Sequence, residues 1–165
     1  MNFINKILDD YPEKENILII PATSYVRWNK KIKLTTKLDE KLFGDFKGGE
    51  KFFGSIIKGY AHLGHLEIYG FISADLIDVK NNKFINSFGL FQTRRHYRQR
   101  ANLDIIKYSC EQLCNYLVDI EEKYIGAKIE VAMIYPGITN GLDRLQVAPI
   151  LRDLPDNVNV YLPGD

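Results

Sequence analysis

The residues best suited to chemistry lie between a strand pattern and a helix pattern late in the chain. An apolar, β-branched run at 129–135 predicts a buried strand, which the Pro-Gly pair at 136–137 ends. The Asn-Gly pair at 140–141 is a second turn signal, and a helical pattern begins at Asp143. A glycine-bearing loop between a strand and a helix presents free N–H groups and a positive helix terminus, which bind phosphate. The same pattern is as typical of a plain turn whose aspartate caps the helix, so both interpretations stay open.

A second candidate loop follows an apolar run at 16–20, which is bounded by Pro21 and predicts a buried parallel strand. In open α/β sheets the loops at the carboxyl ends of strands carry the ligands. This makes the loop at 22–28 a candidate site. If the two strands are neighbours in the sheet, this loop and the loop at 136–142 would form one cleft.

A basic stretch at 94–100 contains four arginines and one histidine around a single tyrosine. Basic residues with an interleaved aromatic are typical of phosphate or single-strand binding, and also of a solvated loop. The net charge of the chain is +1, which provides no global field for nucleic acid or a membrane. We therefore expect no membrane partner and no nucleic-acid partner.

Metal and thiol chemistry are not expected. Cys110 and Cys114 are four residues apart in a helical pattern, which predicts buried, reduced thiols on one helix face. His62 and His65 form a lone pair in a glycine-flanked turn, and His96 is isolated, so the histidines lack the spacing of metal ligands. We expect no metal and no cofactor.

The length of 165 residues, with 45% hydrophobic and 26% charged residues, predicts one globular domain over 1–165. Residues 1–15 are expected to form an N-terminal extension with Phe3, Ile4, Ile7 and Leu8 at helical spacing, a pattern that Pro12 ends. The sequence shows no signal peptide and no apolar run long enough to span a membrane, which favours a cytoplasmic protein.

The remaining patterns give the order of elements. Residues 26–50 predict an irregular insert with a short helix near 38–43, which acts either as a lid over the cleft or as a surface loop. The other expected elements are an amphipathic helix at 51–60, a hairpin of 66–79 with 84–93, a long helix capped by Asn102, and a last strand at 157–161. This order predicts a three-layer α/β/α domain with a mixed sheet.

Three segments of the chain carry a recognisable pattern in this order: Ile17-Leu-Ile-Ile-Pro-Ala-Thr23, Phe91-Gln-Thr-Arg-Arg-His-Tyr-Arg98 with residues 103–109, and 136–146. Together they resemble the macro domain, the fold that binds ADP-ribose and its relatives. The run Gly141-Leu-Asp-Arg-Leu-Gln146 is similar to the branch of terminal ADP-ribose protein glycohydrolase and the DNA ADP-ribosyl glycohydrolase antitoxins. Small phage-encoded macro-like proteins share this layout.

The chain departs from the family at several positions. Thr23-Ser24 stands where the family has an asparagine, and Leu34-Thr-Thr-Lys37 stands where its first glycines belong. Ile138-Thr-Asn replaces a Gly-Cys-Gly run. Thr93-Arg94 stands where the glycohydrolase branch has a nucleophilic lysine after a threonine, and arginine is a poor amine nucleophile because it stays protonated.

The resemblance implies a protein that binds an ADP-ribose-derived nucleotide. Loop N–H groups at 137–141 would hold the diphosphate, Tyr25 or Trp28 would stack on a base, and Arg94 or Arg98 would pair with a phosphate. The candidate ligand-binding residues are Thr23, Ser24, Tyr25, Trp28, Arg94, Arg98, Gly137, Ile138, Thr139, Asn140 and Gly141.

The role that follows from the phage-like layout is sequestration of a nucleotide immune signal, as a phage anti-defence protein in the host cytoplasm. One alternative is an ADP-ribosyl or O-acetyl-ADP-ribose hydrolase, with Asp143 as the catalytic base on water. Another is a catalytically dead module that binds other proteins.

Overall fold

The computed structural model describes the backbone of residues 1–62 and 68–164, and the side chains of 1–60 and 68–164. Its elements, in chain order, are β1 (Asn2–Leu8), β2 (Ile17–Thr23), α1 (Lys37–Asp45), α2 (Gly49–His62), β3 (Phe71–Asp78), β4 (Lys83–Arg94), α3 (Leu103–Lys123), β5 (Val131–Ile134), α4 (Arg144–Leu151) and β6 (Val158–Pro163).

The strands form a sheet in the order β1-β6-β5-β2-β4-β3. Every neighbouring pair is parallel except β3 with β4, so the prediction of a mixed sheet is confirmed. Strand β2 lies beside β5, with Ile17 opposite Val131 and Ile19 opposite Met133. The loops that follow these two strands therefore leave the same edge of the sheet side by side, as the sequence predicts.

Both faces of the sheet are covered, because β2 turns alternate side chains to opposite sides. Ile17 and Ile19 belong to one core cluster, which also contains residues of α3 and α4. Leu18 and Ile20 belong to a second cluster, which contains residues of α1 and α2. The predicted three-layer arrangement is confirmed.

Helix α3 is the longest element, and its start is where the sequence places it. The Asn102 side-chain oxygen accepts from the backbone N–H of Asp104 at 2.8 Å and of Ile105 at 3.1 Å. Cys110 is buried and Cys114 partly buried on this helix, and neither forms a disulfide. Burial raises the pKa of the Cys110 thiol to about 12, which suppresses the reactive thiolate.

The amino-terminal segment is not helical, and this prediction is wrong. Residues Asn2–Leu8 form β1, which pairs in parallel with β6 at the edge of the sheet, with Asn2 opposite Asn159. A helix of this length is marginal in water, whereas the free edge of β6 supplies backbone partners over the whole segment. Phe3 and Ile7, read as one apolar helix face, are largely exposed.

Residues 26–50 contain more regular structure than the irregular insert expected from the sequence. Val26 forms an isolated antiparallel bridge with Ile32, and α1 covers the short helix expected at 38–43. The Thr36 hydroxyl caps α1 by accepting from Asp39 N at 3.0 Å. That this segment acts as a lid stays a prediction.

The predicted hairpin forms between β3 and β4, although residues 66 and 67 of its expected first strand lie outside the described residues. The same applies to His65 and to the side chain of His62, on which the predicted turn depends. Among the described helices, none is long and apolar enough to cross a membrane.

Candidate functional site

A cleft of about 930 Å³ opens at the edge of the sheet where β2, β4 and β5 end. Four parts of the chain line it. They are the ends of β1 and β6 (Ile7, Leu8, Asp9, Pro163 and Gly164), the end of β2 (Pro21, Ala22 and Thr23), the ends of β4 and β5 with the loops that follow them (Thr93, Arg94, Tyr97, Ile134, Tyr135, Thr139 and Asn140), and residues 33–39 with Lys41. This is the position at which open α/β sheets bind ligands.

The loop between β5 and α4 closes on itself. The Gly137 carbonyl oxygen accepts from the backbone N–H of Asn140 at 3.0 Å and of Leu142 at 3.2 Å. Gly137 has φ +83°, and a Cβ there would lie 3.0 Å from Ile106 Cδ1, so a larger residue would be strained. The backbone N–H groups of Ile138 and Thr139 have no acceptor among the described residues, and of the two residues Thr139 lines the cleft.

Asp143 ends this loop as the N-cap of α4. Its Oδ1 accepts from Gln146 N at 3.1 Å, and Gln146 Oε1 accepts from Asp143 N at 3.1 Å, which is a complete capping box. Asp143 is not among the residues that line the cleft. In the structure the Asp143 carboxylate therefore caps α4, and its role as a catalytic base stays a prediction.

Arg94 extends from the end of β4 to the cleft. Its Nη1 donates to the Gln99 carbonyl oxygen at 3.0 Å. With the Asn140 amide oriented so that its oxygen faces the guanidinium, Oδ1 accepts from Nη1 at 2.9 Å and from Nη2 at 3.2 Å. Partial burial lowers the pKa of the Arg94 guanidinium, although arginine remains charged.

The charge of Arg94 is not compensated. No carboxylate forms an ion pair with it in the described part of the chain, and its buried Nε has no hydrogen-bond partner there. A fixed cation at a cleft favours an anionic ligand when no neighbouring carboxylate offsets the free-energy cost of removing the cation from water.

No protein-family model matches the sequence, and a comparison with curated proteins finds no significant match. Solved structures do match. The macrodomain of Mycobacterium tuberculosis DarG has a TM-score of 0.65 at 14% identity, covering 99% of this chain and 98% of that one. The chain has the macrodomain fold. The macrodomain of Thermus aquaticus DarG matches with a TM-score of 0.61 at 12% identity, over 99% of this chain and 97% of the other.

A third match is Thermosipho africanus DarTG in complex with ADP-ribose, with a TM-score of 0.56 at 16% identity. It covers 90% of this chain but 38% of the DarTG chain. At identities this low the likeness concerns the fold, and it confirms the macrodomain fold expected from the sequence.

Only some of the predicted ligand-binding residues meet in the macrodomain cleft. Thr23, Arg94, Thr139 and Asn140 line it. The others do not: Ser24, Tyr25, Trp28, Arg98, Gly137, Ile138 and Gly141. The four that meet come from the ends of three neighbouring strands, which is why topology brings them together.

The predicted residues outside the cleft have other contacts. The buried Ser24 hydroxyl donates to the Arg95 carbonyl oxygen at 3.0 Å. Tyr25 packs edge-on against Tyr97, with 5.0 Å between ring centroids, and Arg98 lies 5.5 Å from the same ring. Trp28 is 93% exposed, so a role in stacking on a base inside the cleft is not supported.

Sequence reasoning missed the residues that the chain brings from β1 and from the approach to α1. Asp9, Lys33 and Lys37 line the cleft, and Asp39 lies against it almost fully buried; Tyr97, which follows β4, also lines the cleft. Burial raises the pKa of the Asp39 carboxyl group against the hydrogen bonds that it accepts from Thr35. The one available signal was the run at 34–37, where threonines and a lysine replace the glycines of the resembling family.

Proposed function

We propose that this macrodomain binds an ADP-ribose-like nucleotide in the cleft and holds it without turnover. The observation that carries the proposal is the uncompensated Arg94 guanidinium, fixed by Asn140 beside free loop N–H groups. A diphosphate is an anion that can accept hydrogen bonds from the guanidinium and from backbone N–H groups. Loops that precede the N-terminus of a helix bind phosphate in the same way.

The dimensions of the cleft support a nucleotide. Ligand sites of about 300–1,000 Å³ accommodate small molecules and cofactors, and this cleft, at about 930 Å³, is near the upper end. A protein with the same fold, Thermosipho africanus DarTG, is in complex with ADP-ribose. The fold and the donors at the cleft therefore point to the same class of ligand.

Binding is favoured over hydrolysis by the two positions that would carry catalysis. The Asp143 carboxylate is engaged in the cap of α4 and lies outside the cleft lining. Arg94 cannot serve as an amine nucleophile because it stays protonated. The cellular role that suits a binder without turnover is sequestration of a nucleotide signal, as in phage anti-defence.

Calorimetric titration with ADP-ribose tests the proposal, followed by chromatography of the recovered ligand. We expect saturable binding and an intact ligand. Arg94→Gln should weaken binding about 10- to 100-fold, because a hydrogen bond to a charged group contributes ~1.5–3 kcal/mol.

The matched control is Arg95→Gln, since Arg95 is the adjacent, exposed arginine and does not line the cleft. It should bind as the unchanged protein does. Absence of binding by the unchanged protein would refute the proposal and favour a protein-interaction module. Recovery of a cleaved product would favour the hydrolase.

A further inference from the structure

The segment that follows β2 meets the basic stretch that follows β4. The buried Ser24 hydroxyl of the first segment donates to the Arg95 carbonyl oxygen of the second at 3.0 Å. The Tyr25 ring packs edge-on against the Tyr97 ring, with 5.0 Å between their centroids. Folding therefore joins two basic stretches, which are distant in the sequence, into one region of the surface.

This region is rich in cationic side chains, and residues 24–33 and 94–100 contain no aspartate or glutamate. Glu50 of α2 contacts the region through its carbonyl oxygen, which accepts from Ile32 N at 3.3 Å. Lys33 Nζ and Arg98 Cζ lie 4.3 Å and 5.5 Å from the centre of the Tyr97 ring, so cations of both stretches come together there. The cations that we call the basic surface are Arg27, Lys30, Lys31, Lys33, Arg95 and Arg98. No carboxylate in the described part of the chain forms an ion pair with any of them.

Trp28 protrudes from this surface into solvent. Its side chain is 93% exposed, whereas tryptophan is highly buried on average. The turn that carries it is closed by a bridge between Val26 and Ile32 and by backbone hydrogen bonds of 2.8 and 2.9 Å. Lys30 in this turn has φ +67°, which a residue other than glycine adopts when its surroundings impose it. The exposure of Trp28 is therefore built into the turn.

The other aromatic rings of this region contact one another and a cation. His96 stacks on Tyr97 with 4.3 Å between centroids, and Lys33 lies over the Tyr97 ring. Tyr25 packs edge-on against both rings. A single nucleic-acid strand stacks successive bases on several open aromatic faces. One open ring at the tip of a turn does not provide such a row of stacking positions.

A protruding indole with cations around it has the chemistry of a lipid contact. Tryptophan is enriched at the boundary between lipid headgroups and hydrocarbon, because its ring is apolar and its N–H is polar. Clustered lysines and arginines are attracted to anionic headgroups. A bilayer receives a protruding side chain without the fitted pocket that a protein partner provides for an anchor residue.

We infer that the basic surface docks on an anionic phospholipid surface, with the Trp28 indole inserted among the headgroups. The expectation of no membrane partner came from the net charge of +1, which is a sum over the whole chain. Charges are screened over about 8 Å at physiological salt, so a lipid surface at this face responds to the local cations. The contact is peripheral and reversible, and it requires no helix that spans the membrane.

Trp28 is the sole tryptophan of the chain, so tryptophan fluorescence reports on the tip directly. The protein is sedimented with vesicles of equimolar phosphatidylcholine and phosphatidylserine, and with vesicles of phosphatidylcholine alone. We expect binding to the first vesicles and not to the second, with emission shifted to shorter wavelength on binding. Binding should weaken as the salt concentration rises from about 0.05 to 0.5 M.

Two variants test the residues. Trp28→Ser should weaken vesicle binding about tenfold, because the buried apolar area of the indole is lost. Arg27→Gln with Lys31→Gln should weaken it about 10- to 30-fold, because two cations are removed from the surface.

The β3–β4 hairpin provides the matched control. It presents an exposed apolar side chain, Val79 at 87%, near two exposed lysines, Lys80 and Lys83. Val79→Ser, and separately Lys80→Gln with Lys83→Gln, should leave vesicle binding unchanged. Thermal unfolding of all four variants checks that they remain folded.

Absence of binding to the anionic vesicles would overturn the inference. So would binding of a single-stranded oligonucleotide in place of the vesicles, which would identify nucleic acid as the partner. Vesicle binding that leaves the Trp28 emission unchanged, or that the turn and hairpin variants weaken equally, would show that another surface docks. These results are independent of the ADP-ribose titration, so this inference and the proposed function can fail separately.

Discussion

The segments that follow β2 and β5 stand side by side at the cleft, yet they are built differently. The β5–α4 loop is closed by its own hydrogen bonds around Gly137 and by the Asp143 cap. The β2–α1 segment is held by distant parts of the chain, through Ser24 on the Arg95 carbonyl and Tyr25 on Tyr97. A loop of the first kind can be read from local sequence, whereas the second depends on tertiary contacts.

A further tertiary contact of the β2–α1 segment involves α2. A Cβ placed on Gly54 would lie 1.9 Å from the Lys30 carbonyl oxygen, so the turn at 26–32 rests directly on this helix. Because the obstructing atom is backbone, no side-chain rotation could relieve the clash. The sequence pattern of α2 gives no hint that this glycine supports one side of the cleft.

Gly54→Ala should break the β2–α1 segment and have the largest effect on stability. Overpacking of a tight contact costs about 1–3 kcal/mol, and more when backbone must move. Urea denaturation measures this loss in the free energy of unfolding. Gly59→Ala in the same helix has nothing within 4 Å of the added Cβ, so it should stabilise the protein by up to ~1 kcal/mol. Similar free energies of unfolding for the two variants would show that the turn at 26–32 does not rest on α2.

Substitution of Asp143 tests whether the β5–α4 loop needs this residue for more than its cap. Asp143→Ala should lower the free energy of unfolding by about 1 kcal/mol through loss of the N-cap. Asp143→Ser keeps a capping oxygen, so its free energy of unfolding should be close to that of the unchanged protein. Neither substitution should change the affinity for ADP-ribose more than slightly. Hydrolysis of ADP-ribose conjugates that disappears in Asp143→Ser would instead identify a catalytic base.

Asp39→Asn should have the smallest effect, visible as a change in pH dependence. Burial raises the folded-state pKa of this carboxyl above its ordinary value of 3.8. Its contribution to stability is therefore fully present below the unfolded-state pKa and is lost as pH rises through the folded-state pKa. Asp39→Asn should therefore gain stability relative to the unchanged protein as pH rises above the unfolded-state pKa. If the free energies of unfolding of the two proteins, measured by urea denaturation, changed in parallel with pH, Asp39 would not titrate in this way.

Local sequence predicted much of the site. Pro136-Gly137, Asn140-Gly141 and the Asp143 cap describe the β5–α4 loop almost completely, since turn and cap chemistry depend on residues within a few positions. The basic stretch at 94–100 was a plausible phosphate site, but its sequence could not distinguish Arg94, which reaches the cleft, from Arg98, which does not. That choice depends on Asn140, some 46 positions away in sequence, which accepts from the Arg94 guanidinium.

The sequence by itself determined the elements whose signals are short-ranged. The buried strands β2 and β5, the hairpin of β3 with β4, and helix α3 follow from periodicity, turn residues and caps. The resemblance to the macro domain depended on β2, on the end of β4 with the start of α3, and on the β5–α4 loop. Only the tertiary structure decided that residues 2–8 form an edge strand beside β6 and that residues 33–39 complete the cleft. The physical reason is that backbone pairing at a sheet edge, and the meeting of side chains from distant segments, are set by the packing of the whole chain and leave no local periodic pattern.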